Sequence, residues 1–142
     1  TPAAAHAFKV FTIVVNEVSD TGLGSVPGFG AAKTFCDGAA YVELKNIGPD
    51  TADPSGYMLT NNQGLTAGDA FAFPAESASI DVGSFLVLCK DAAGSFTFDI
   101  GGSDAVTLYD AASVEVSTTG ELLALGSTSA SYQRLSDGMG YQ

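Results

Sequence analysis

Only one histidine, His6, and five basic residues occur in the 142-residue chain, and each shortage removes a class of chemistry. A Ser–His or Cys–His nucleophile needs a base beside it, and His6 lies near the N-terminus, outside the folded region expected below. Catalytic zinc fails on the same lack of ligands. The basic residues Lys9, Lys33, Lys45, Lys90 and Arg134 are scattered singly against sixteen acidic ones, a formal net charge of −11. A nucleic-acid interface needs Lys and Arg concentrated to displace counterions, so neither DNA nor RNA is an expected partner. An anionic membrane surface would repel the chain for the same reason. The longest apolar runs, around 13–15 and 85–89, are strand-sized, so no direct membrane insertion is expected. The acidity favours solubility, a cationic partner or divalent ions.

Cysteine is scarce too. Cys36 and Cys89 are too few for a disulfide-dense scaffold and lack the CxxC spacing of a zinc site. Two readings stay open: a pair of buried thiols, or one bridge tying the loop before a strand to the end of another. The bridge is the expectation; it would contribute about 3–4 kcal/mol by chain entropy and implies an oxidising compartment. The Ala-x-Ala pattern within Thr1–Phe8 resembles a signal-peptidase site, with no apolar stretch before it. Residues 1–9 are therefore expected to be an extended segment, a mature end or leader remnant of an exported or organelle-lumenal protein.

Helical periodicity is nearly missing, since no segment keeps apolar residues at i, i+3, i+4 and i+7 over three turns. What is present is a succession of short β-rich runs punctuated by Gly, Pro, Asn and Asp. Strands are expected over 10–18, 41–47, 57–60, 71–74 and 84–89, with 96–100 and 105–110 forming a hairpin around Gly101–Asp104. Residues 114–116 and 131–135 supply the last strands, and 121–125 suit either a helical turn or another strand. In 41–47, Val42 and Leu44 take one face while Tyr41, Glu43 and Lys45 take the other. The most apolar run, 84–89, reads as a central strand. Residues 21–32, with Pro27 and several glycines, read as a long loop without regular structure. A chain with 46% hydrophobic and 15% charged residues can close one core. Residues 10–142 are thus expected to form a single all-β domain of about eight strands, a β-sandwich ahead of a closed barrel.

The ordered set Ile13–Val18, Tyr41–Gly48, Asp53–Leu59, Phe71–Pro74, Gly83–Leu88, Gly102–Asp110 and Arg134–Gly138 resembles the lamin-tail domain family. The resemblance runs from about Phe11 to Gly138. It implies an immunoglobulin-like β-sandwich used as a protein-interaction or surface-anchoring module, with no shared catalytic site and no cofactor. There is no coiled-coil rod and no basic patch here, which argues against a nuclear lamin and a place in the nuclear lamina. The chain also ends at Gly138–Gln142, short of the tail that usually follows, which suggests truncation or an unusual end.

The remaining candidates are few. Glu17 and Glu43 are strand carboxylates, and a glycosidase would need such a pair flanking a cleft; solvent-facing strand residues are the plainer reading, so no enzyme is expected. Asp37, Asp50, Asp53, Asp91, Asp99 and Asp104 lie near turns, where aspartate ordinarily caps backbone amides. They leave a calcium- or carbohydrate-binding module as the alternative function, although none has EF-hand spacing and no metal ligand set is assigned. Phe29, Phe35, Tyr132 and Tyr141 fall in or beside loops, and aromatics anchor protein contacts. With the long 21–35 loop they mark the expected interaction surface, through which the domain would dock as an accessory subunit of a larger protein assembly.

Overall fold

Dense β-branched sequence makes Ile13–Ser19 the organising strand, β1. The computed structural model describes residues 12–20, 23–24, 33–34, 36–62, 64–101, 104–120, 122 and 131–134. The other strands are β2 (Leu23–Gly24), β3 (Lys33–Thr34), β4 (Tyr41–Asn46), β5 (Met58–Thr60), β6 (Phe71–Ala72), β7 (Phe85–Cys89), β8 (Thr107–Tyr109), β9 (Glu115–Thr118) and β10 (Tyr132–Gln133). One 3-10 turn, Cys36–Gly38, is the sole helical element among the described residues.

Two antiparallel four-stranded sheets form, in the orders β10-β1-β4-β7 and β6-β5-β8-β9. Val15, Val18, Val42, Leu44 and Leu88 of the first sheet and Leu59 and Leu108 of the second share one buried cluster, so the sheets face each other as an all-β sandwich. β10 pairs with β1 at Glu17 and Val18, and the Arg134 N–H donates to the Asn16 carbonyl at 2.8 Å. Beyond it, Ser117 of β9 reaches across from the opposite sheet, and its Oγ accepts the Val15 N–H at 3.0 Å.

Several expectations are corrected. Residues 96–100 do not pair with 105–110. β8 starts at Thr107 and both its sides are taken, by β5 and β9, so no edge remains for that segment. Its alternation is nevertheless real: Phe96, Phe98 and Ile100 are buried and Thr97 and Asp99 exposed. The extended chain drops every second side chain into the core without joining a ladder. Among the described residues β7 is an edge strand, not a central one. The 21–35 stretch is not wholly irregular, because β2 and β3 pair within it. The strands at 10–18, 114–116 and 131–135 are observed as Ile13–Ser19, Glu115–Thr118 and Tyr132–Gln133. Of 121–125 only Leu122 is described, fully buried with its N–H bonded to the Asp104 carbonyl at 2.8 Å. Residues 1–9 lie outside the described residues.

The turn after β4 is fastened from inside. Asn46 has no exposed surface, and its Nδ2 donates to the carbonyls of Asp50 (2.8 Å) and Ile80 (2.7 Å). Its Oδ1 accepts the Gly48 N–H at 2.8 Å. The Asn46 backbone adds two bonds, donating to Ser84 at 3.1 Å and accepting from Gly83 at 2.7 Å. Gly48 has φ +89°, and a Cβ there would stand 3.3 Å from Val82 Cγ1, so both conformation and space call for glycine. The Gly48–Pro49 bond is cis. Cys36 and Cys89 are joined by a disulfide across 53 positions, tying the 3-10 turn to the end of β7.

Two stability outcomes are expected. Replacing both cysteines by serine should lower the unfolding free energy by about 4 kcal/mol through the long loop released; equal urea midpoints with and without reductant would contradict it. Asn46→Ala should cost about 2–4 kcal/mol, because two carbonyls and one amide lose their partner in a buried site. Calorimetry reads this directly.

Candidate functional site

A strict period-two reading of β1 from inward-facing Val15 would turn Glu17 into the core. The structure avoids this with a β-bulge. Val15 pairs with Leu44, but Glu17 pairs with Glu43, so Asn16 is the extra residue. The bulge turns Asn16 and Glu17 to the outer face and returns Val18, fully buried opposite Val42, to the inside. Across the outer face the register aligns Gln133, Glu17, Glu43 and Val87 in one row spanning all four strands.

Side chains around that row bond to one another. Asn16 Nδ2 donates to Glu43 Oε1 at 2.8 Å, the Tyr41 hydroxyl to Glu17 Oε1 at 2.6 Å, and Gln133 Nε2 to the same Glu17 oxygen at 3.4 Å. Tyr41, expected on the outward face, does lie in that layer but is almost completely buried. Burial and the Glu17 carboxylate hold its hydroxyl well above the usual phenol range. Burial likewise raises the Glu43 carboxyl above its ordinary value; the Asn16 amide opposes this, the Glu17 charge adds to it, and Lys45 opposes it. The two carboxylates thus face each other across adjacent strands as a like-charge pair held by neutral donors.

The same face becomes apolar at β7. Phe85 is 53% and Val87 39% exposed, and Val82, in the turn that leads into the strand, is 51% exposed. Lys45 Nζ stands 5.3 Å from the centre of the Phe85 ring, a cation–π contact between paired residues. No sequence feature separates this edge from an interior strand, because Phe-Leu-Val-Leu-Cys is equally suited to burial on both faces.

Beside the disulfide lies a polar cleft of about 300 Å³, lined by Asp20, Gly38, Ala39, Ala40, Lys90, Asp91, Asp99 and Ile100. Lys90 is paired with Asp99 there. Asp20 Oδ1 is buried with no hydrogen-bond partner, and burial raises that carboxyl, opposed by its own backbone amide. The cleft brings together Asp91 and Asp99 of the aspartates singled out in the sequence. Asp53 instead receives the Ser55 N–H and Asp104 the Gly101 N–H, as turn aspartates do. Asp50 is exposed and offers its carbonyl to Asn46. Among the described residues no three His, Cys, Asp or Glu side chains are grouped to hold a metal ion.

Of the aromatics expected to mark an interaction surface, Phe29, Phe35 and Tyr141 lie outside the described residues. Tyr132 lies in β10, within the strand expected over 131–135, opposite Val18, and packs against the core. The structure therefore presents Phe85, Val87 and Val82 as an exposed apolar group that the sequence reading passed over. No protein-family model matches this chain, and no curated protein matches it either.

Glu43→Gln tests the paired carboxylates. A carboxyl raised in the folded state favours folding fully below its unfolded pKa, and that contribution is lost as pH rises through the folded value. Wild type should therefore fall behind the Gln variant as pH climbs through and above the ordinary glutamate value of 4.5. At pH 7 the variant should be more stable by about 0.2–1 kcal/mol, the scale of one cross-strand pair. Melting curves of the two proteins across pH check the sign, and a constant gap would contradict it.

Proposed function

We propose that this domain is a non-catalytic protein-interaction module that docks as an accessory or structural subunit on a larger assembly. The observation that carries the reading is the exposed apolar group of Val82, Phe85 and Val87 on and beside an edge strand. An unguarded apolar edge invites association, and proteins normally blunt or cover it. The segment-by-segment resemblance to lamin-tail domains supports the same reading, since that family serves interaction and anchoring. The disulfide suits an oxidising compartment, and hence an exported or lumenal site of action. No helix among the described residues is long and apolar enough to cross a membrane.

Gel filtration of a native extract with immunodetection of the chain tests the proposal. Wild type should co-migrate with a much larger species, and Phe85→Ser/Val87→Ser should release it. Because neither side chain belongs to the buried core, the double variant should keep its stability within about 1 kcal/mol. Elution of the wild-type chain by itself, near its 14.4 kDa mass, would overturn the reading.

A further inference from the structure

We infer that the outer edge of β7, unpaired among the described residues, is a strand-addition site whose occupant is an extended segment of another protein, bearing a basic residue two positions before an apolar one. The inference deepens the interaction-module reading and rests on it.

The phase of the ladder shows which groups are free. Lys90 N–H donates to Ala40 at 2.8 Å and Asn46 N–H to Ser84 at 3.1 Å. Residues 84, 86, 88 and 90 thus turn their backbone groups toward β4, and Phe85 and Val87 turn theirs away from it. Among the described residues no strand lies beyond β7. Nothing in Phe85–Cys89 blunts this edge: it has no lysine, no proline and no bulge against β4. Phe85 and Val87, whose backbone groups point outward, also carry the strand's two exposed apolar side chains, so one added strand would satisfy the former and cover the latter.

The rows across the sheet select the chemistry of that strand. A residue placed opposite Val87 extends the row Glu17–Glu43–Val87. An arginine or lysine there would lay its stem over Val87 and bring its charge to Glu43, one of whose oxygens is engaged by Asn16. A residue opposite Phe85 extends the row of Lys45 and Phe85, where an aliphatic side chain adds cover to the ring. Antiparallel addition, the mode of every neighbour in this sheet, puts the basic residue two positions before the apolar one. Edge-to-edge pairing of two copies through β7 fits poorly: it would set one charge of −11 against another and leave Glu43 facing no cation.

The probe is a capped octapeptide of threonine containing one arginine and, two residues later, one isoleucine, titrated into the oxidised full chain. Saturable binding is expected, with the Phe85 and Val87 amides becoming protected from hydrogen exchange. N-methylation of the peptide at arginine and isoleucine, Val87→Lys, and Glu43→Gln should each weaken binding about tenfold or more. Unprotected amides at 85 and 87, or equal binding of the N-methylated peptide, would overturn strand addition. So would a wild-type dimer in sedimentation that Val87→Lys dissociates, since the occupant would then be a second copy. If the peptide fails while Phe85→Ser/Val87→Ser still releases the chain from a larger species, strand addition falls and the module reading stands. A chain that travels alone in the extract overturns the module reading itself.

Discussion

The buried amide of Asn46 is the interaction on which the exposed edge depends. One side chain satisfies three backbone groups from two separate turns, and its own backbone binds the residues just before β7. Buried polar groups left unpaired are costly, so the 46–50 and 80–84 segments keep their positions only together. The Ala52–Ile80 bridge, with bonds of 3.0 and 2.8 Å, extends the same union. Val82 and Phe85 are therefore presented from a turn and strand start with little freedom to rearrange.

A second constraint is the single extra residue in β1. Without the bulge at Asn16, strict alternation from an inward Val15 would put the Glu17 carboxylate into the core and turn Val18 to solvent. With it, both valines stay inside and Glu17 meets Glu43 on the outer face. Asn16, freed from regular pairing, supplies the amide that steadies Glu43. The opposing carboxylates are thus a by-product of keeping the core apolar, and neutral donors make the pair tolerable.

The sandwich was legible because strand runs, turn residues and the lack of helical periodicity all pointed one way. β4 shows this best, with Val42 and Leu44 buried as its alternation required. Where the reading failed, one pattern had two physical causes. The alternation of Phe96, Phe98 and Ile100 records burial, which a ladder also produces, so the pattern does not separate a non-pairing segment from a strand. The continuous apolar run of β7 is equally a central strand or an edge awaiting a cover, and composition does not separate them. The bulge left no mark beyond an asparagine in a β-branched run. The cysteine bridge was legible as one of two options, and geometry decided between them.

The disulfide also bears on mechanical load. It joins the far end of β7 to the turn just before β4, the strand beside it in the sheet. A pull along β7 would load the β4–β7 hydrogen bonds in shear, all at once rather than one by one. If they gave way, the covalent link would still hold the C-terminal end of β7 to the domain. The edge strand is thus tethered at one end by a bond that does not creep under sustained tension.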